Sequence, residues 1–167
     1  MTMELRHYGS KELALSGLRV RSQDDEHRKY FKPHGLWVSV LGEYDWKSWC
    51  ESEDFGCLDI EHTVTLRPDA NILHLSTVEA LISFHHQFKI EPYPSGGGWH
   101  NYYIDWPRVA EQWDGIIIAP YQWSQRLDGV CHNWYYGWDC ASGCIWHPRA
   151  IAAIDIVTER ERLRQVR

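Results

Sequence analysis

The sequence predicts a single α+β domain. Three observations carry that reading: alternating or β-branched runs that mark six or seven short strands, three or four stretches of helical character between them, and neither strict strand–helix alternation nor an internal repeat. The chain of 167 residues is long enough to bury one core without staples, and is divided into a domain over 1–157 and a charged tail over 158–167.

The first element is the strand Glu4 to Tyr8, which ends in the Gly9-Ser10 turn and leaves His7 where strand gives way to loop. Lys11 to Leu18 forms a brief helix or turn, and Ser22 to Lys32, the most charged segment, is an exposed connection placed to act as a flap. Pro33 and Gly35 punctuate the entry to a buried strand over Leu36 to Val40, in which only Ser39 is polar and needs a partner. Glu43 to Phe55, with Trp46, Trp49, Cys50 and acidic residues at near-helical spacing, reads as a helix with its aromatics on the core side.

Ile60, His62, Val64 and Leu66 alternate with polar residues, the mark of a half-buried strand. Pro68-Asp69-Ala70-Asn71 is a turn, and Ile72 to Leu75 resumes as the second arm of a hairpin. Ser76-Thr77 followed by Glu79 caps a helix over Val78 to about Phe88, whose neighbouring His85 and His86 diverge by about 100° and do not grip one ion. Glu91 to His100, rich in Pro and Gly, is a loop that lacks the Lys-Ser/Thr ending of a phosphate-binding loop. Asp105 caps a short helix with Pro107 in its first turn, and Gly115 introduces the central strand Ile116-Ile117-Ile118-Ala119, stopped by Pro120. A polar loop over Tyr121 to Asn133 follows, and Ala152 to Val157 supplies the last strand.

Composition narrows the function. At 44% hydrophobic and 14% aromatic the chain argues against disorder, and ten tryptophans require either a thick aromatic core or a surface that stacks on flat ligands. A formal charge of −6 argues against non-specific coating of DNA, which draws its affinity from neutralised phosphates. Five cysteines, an odd number, without a signal-peptide pattern, point to a reducing, cytoplasmic setting with free thiols, and no apolar run is long enough to span a membrane.

The most informative stretch is Trp134 to Ile151, in which Tyr135, Tyr136 and Trp138 crowd ahead of Asp139, a small-residue turn at Ser142 and Gly143, and the apolar run Cys144-Ile145-Trp146. It reads as a core strand entered from an aromatic loop, and polar residues at the mouth of such a strand are where sites are built. The plainer reading is that the aromatics are core and the polar residues cap a turn. A zinc module of Cys131, His132, Cys140 and Cys144 is a further option, but its spacing matches no common finger, so the cysteines read better as buried hydrophobes and no metal is expected.

Four features fall in an order that resembles the ADP-ribosyltransferase-like superfamily, particularly its small bacterial and phage members. These are the strand end His7-Tyr8-Gly9-Ser10, the strand Gly35-Leu36-Trp37-Val38-Ser39, the Val64 to Leu75 hairpin, and the late run from Ser142 to Ile151. Trp113-Asp114-Gly115-Ile116-Ile117 is similar to the strand common before that last motif.

The resemblance implies a split antiparallel β-sandwich with peripheral helices and a cleft that takes NAD as substrate. It implies that His7 reaches a ribose hydroxyl, that the turn Tyr8-Gly9-Ser10 faces the nicotinamide amide, and that Trp37 and Ser39 line the cleft floor. Active members carry a Glu at the start of the last strand, where Ser142 stands here; Ser cannot supply that negative charge, and Asp139, three residues earlier, is the substitute. Two functions follow. One is an NAD-dependent ADP-ribosyltransferase acting on a protein or nucleic-acid acceptor, with Asp139 as the acid and Tyr136 or Trp138 stacking on nicotinamide or a target base. The other is a catalytically inactive fold that binds a nucleotide, base or protein through the same aromatics.

Overall fold

The computed structural model describes residues 3–18, 32–55, 58, 60–90, 103–127 and 133–158. The Ser22 to Lys32 flap apart from Lys32 itself, the Glu91 to His100 loop, Cys131 with His132, and the tail after Thr158 lie outside the described residues.

The chain is mixed α+β. Strands β1 (Leu5–Gly9), β2 (Leu36–Val40), β3 (Ile60–Leu66), β4 (Ile72–Leu75), β7 (Gly115–Ile118), β8 (Ser142–Ile145) and β9 (Ile151–Ile156) form one seven-stranded sheet in the order β4-β7-β8-β2-β1-β3-β9. The short strands β5 (Lys89–Ile90) and β6 (Tyr103–Ile104) pair separately. Neighbours in the large sheet are antiparallel except β4 and β7, which are parallel. Helices α1 (Trp46–Glu53), α2 (Val78–Phe88), α3 (Trp106–Ala110) and α4 (Trp123–Arg126) connect them. No helix among the described residues is long and apolar enough to cross a membrane.

Local signals set the helix starts. The Asp45 carboxylate accepts from Ser48 N at 2.8 Å, Thr77 Oγ1 from Ala80 N at 3.1 Å and Asp105 from Arg108 N at 3.2 Å, each satisfying an orphan N–H of a first turn. The expected polar loop after Tyr121 instead contains the single turn of α4.

The expected hairpin does not form. β3 lies between β1 and β9, whereas β4 is the far edge strand, on β7. Two ties direct the arms apart. Arg67 N donates to Ala150 O at 2.8 Å, fastening the exit of β3 to the turn before β9, and Asp114 N donates to Asn71 O at 2.8 Å, fastening the entry of β4 beside β7. Five strand spacings separate β3 from β4 in the order, roughly 24 Å in a flat sheet. The connection from Leu66 to Ile72 reaches at most roughly 21 Å. The sheet therefore curls.

Its two faces bury different cores. Leu5, Leu36, Val38, Val64, Ile117, Ile145 and Ala150 pack on one. On the other, Ile116, Ile118 and Cys144 meet α2, α3 and the aromatic turn over Asn133–Gly137, which contributes Trp134 and Tyr135, with Trp138 directly after it, all three 0% exposed. The tryptophan enrichment is thus in large part a thick core, built from edge-on contacts such as Trp134 with Trp138 (6.3 Å, 90°) and Trp106 with Trp134 (6.0 Å, 79°).

Candidate functional site

The site begins where a ladder gives out. β1 pairs with β3 at five positions, from Leu5 with Val64 to Gly9 with Ile60, but with β2 at only two, Leu5 with Val40 and Arg6 with Ser39. Beyond that point a side chain replaces the backbone bridge: His7 Nδ1 lies 2.7 Å from Trp37 O. A carbonyl only accepts, so Nδ1 carries the proton and Nε2 keeps its lone pair. Burial holds the imidazole pKa below its ordinary value, against the raising effect of the Trp37 bond, with His62 lowering it further. His7 is therefore neutral at pH 7, and Nε2 is an acceptor.

A cleft of about 300 Å³ opens at this parting, lined by Arg6, His7, Tyr8, Lys32, Trp37, Val38, Ser39, Trp46, Asp139, Cys140 and Ser142. That volume is at the lower end of small-molecule pockets. Pleating explains the polar floor: Ser142 stands opposite Ser39, and Ser39 opposite Arg6, so the three form one cross-strand row on one face. All three are buried. Ser39 Oγ accepts from Trp46 N at 2.8 Å, fixing the start of α1, and Ser142 Oγ donates to Cys140 O at 3.0 Å. Arg6 is held by Glu61 at 3.2 Å and Glu4 at 3.1 Å. The Tyr8 phenol is pushed well above its ordinary pKa, first by burial and then by the charges of Glu61 and Asp45, so it remains a donor.

The walls are aromatic and charged. Trp37 packs edge-on against Trp138 (4.8 Å, 66°), and Lys32 Nζ sits 5.1 Å over the Trp37 ring. Asp139 accepts from Arg126 at 3.2 Å and lies 3.8 Å from Lys32 Nζ. Its carboxylate thus reaches the cleft with two cations beside it.

The structure brings His7, Tyr8, Trp37, Ser39, Asp139 and Ser142 to one cleft. Others of the expected set are elsewhere. Ser10 is exposed and bonds to Glu12 O at 2.7 Å. Trp138, at 0% exposure, is core and has no free face, and Tyr136 is 58% exposed outside the cleft lining. Gly9 does not line the cleft but shapes it: a Cβ there would stand 2.5 Å from His7 Nε2, so only glycine leaves the imidazole its seat.

Sequence reasoning missed Arg6, Lys32 and Trp46 as lining residues. Arg6 carried the available signal, a cation at an inward position two residues before Tyr8 on the same strand face. Trp46 and Trp49, expected in the core, are half-buried and instead stack on one another (5.0 Å, 18°) beside Phe55.

Among the described residues, Cys50, Cys140 and Cys144 all have thiol pKa values raised by burial and none is primed as a nucleophile. Burial pushes the Cys140 thiol up to about 12 and Cys144 well above its ordinary value. No group of three or more metal-ligating side chains occurs among the described residues. Comparison of the chain with models of protein families, with curated proteins and with solved structures finds no match.

Proposed function

We propose that the cleft binds NAD and that the chain transfers ADP-ribose from it to a protein or nucleic-acid acceptor, on an ADP-ribosyltransferase-like split fold. The observation that carries this reading is the parting of β1 from β2 at His7, which opens a cleft holding His7, Trp37, Ser39 and Asp139 together. His7 Nε2, deprotonated by virtue of the Nδ1 bond, accepts from a ribose hydroxyl. Trp37 and Trp46 offer faces to a flat ring, and the Tyr8 hydroxyl is a donor for an amide oxygen.

In the transfer the bond between nicotinamide and the ribose anomeric carbon breaks, and its electron pair leaves with nicotinamide. The acceptor's nucleophile bonds to that carbon and releases its proton to solvent. Positive charge builds on the ribose before the new bond forms, and Asp139 supplies the opposing charge from the loop ahead of Ser142. Arg126 and Lys32 beside it reduce that charge. This bracketing favours a second reading, a cleft that binds the nucleotide without cleaving it.

Titration with NAD followed by measurement of free nicotinamide separates the two. Saturable quenching of tryptophan fluorescence with nicotinamide release, lost in Asp139→Ala, supports the transferase. Quenching without release in either protein supports the binder, and no quenching rejects both.

A further inference from the structure

Outside the cleft, aromatic side chains form a continuous exposed band. Tyr44 packs edge-on against Trp123 (5.5 Å, 76°), and the Arg126 guanidinium lies over the Trp123 ring at 5.4 Å and over the Tyr136 ring at 5.6 Å. Tyr44, Trp123 and Tyr136 are 43%, 44% and 58% exposed. The band runs into the cleft, because the same Arg126 donates to Asp139 at 3.2 Å. Three large rings left at the surface, two in contact and the third joined to them by a guanidinium, form the kind of exposed patch that a partner covers.

We propose that this band binds single-stranded nucleic acid by stacking its unpaired bases, and delivers one of them to the cleft. Every base has a flat face, and rings interleaved with a guanidinium are the arrangement that holds bases without reading sequence. Charge points the same way. Among the described residues Arg126 and Lys32 stand along the band and at the cleft mouth and share the single carboxylate of Asp139, which leaves one net positive charge there on a chain whose formal net charge is −6. With one net positive charge the phosphate contribution is small, and stacking supplies most of the affinity. As the acceptor site the band rests on the transferase reading; as a binding site it stands apart from it.

The test is fluorescence anisotropy with a labelled deoxythymidine oligomer and its duplex with deoxyadenosine, in the absence of NAD. The single strand should bind more tightly than the duplex. Tyr136→Ala and Trp123→Ala should each weaken it about tenfold. The logarithm of affinity should fall with the logarithm of salt at a slope of about −1. Tyr136 is exposed, so that variant keeps the wild-type melting temperature and isolates binding from folding. Equal affinity for duplex, or variants that bind the single strand as wild type does, overturns the proposal. No binding of either nucleic acid also overturns it and leaves the band to a protein partner. Nicotinamide release without oligomer is unaffected by any of these outcomes, so failure here is distinguishable from failure of the NAD reading.

Discussion

His7 and Trp37 stand on strands whose backbone pairing has already ended, and the 2.7 Å contact from the imidazole Nδ1 to the Trp37 carbonyl bridges the gap. The same bond that closes the seam fixes the tautomer that the cleft sees. Replacing His7 by Ala should therefore affect both stability and ligand binding. A loss of about 1 kcal/mol in urea unfolding is expected, together with loss of NAD-dependent fluorescence quenching.

Acid should act through the same ring. Burial lowers the folded-state pKa of His7 below its ordinary value of 6.5, and that of His74 likewise. At pH above 6.5 both states are neutral and the stability is complete. As pH falls through 6.5 the unfolded chain takes up protons that the folded chain refuses, so stability declines. Melting temperature measured from pH 7.5 down to 5 should fall below 6.5, and less steeply in His7→Gln.

A side chain at Gly9 is expected to displace the His7 imidazole from its bond to Trp37 O. Gly9→Ala puts a Cβ 2.5 Å from His7 Nε2 and should cost about 1–3 kcal/mol. Gly17→Ala, which meets nothing within 4 Å, is the control and should leave the urea midpoint nearly unchanged.

Asp139→Asn removes the cleft's counter-charge while keeping its size. Nicotinamide release should fall by about a hundredfold with NAD affinity changed much less, as turnover assays against fluorescence titration would show. Stability should drop by about 1–2 kcal/mol, because Arg126 is left without its carboxylate.

Two aromatics two positions apart should behave oppositely on unfolding. Trp138→Ala empties a fully buried site and should cost about 3–5 kcal/mol, whereas Tyr136→Ala should cost less than about 0.5 kcal/mol. Calorimetry of the two variants checks the contrast.

Local elements were readable in the sequence where one residue period or one cap decided them. Val78–Phe88 begins at its Thr77 cap, and Gly115–Ile118 is the central strand that its β-branched run announces. Pairing was not readable, because it depends on distant partners. Pro68 to Asn71 has the composition of a hairpin turn, but the Arg67 bond to Ala150 and the Asn71 bond to Asp114 take its two ends to different strands. The cleft was partly legible. His7, Ser39 and Asp139 were named as candidates, while Lys32 and Trp46 were not, since nothing local tells which residues a curled sheet brings to its seam. Tyr136 and Trp138 illustrate the limit: two positions apart in one aromatic run, one is exposed within the turn over Asn133–Gly137 and the other, directly after that turn, is sealed in the core.

The seam between β1 and β2 also has a mechanical meaning. Held by two ladder positions, the Leu41 N to Glu4 O bond and one imidazole, it has the fewest paired positions of any seam in the large sheet, while β1 with β3 and β2 with β8 are paired over longer spans. A ligand that widens the cleft is expected to strain this seam before the others. The short tether from Leu66 to Ile72 limits how far the two halves swing.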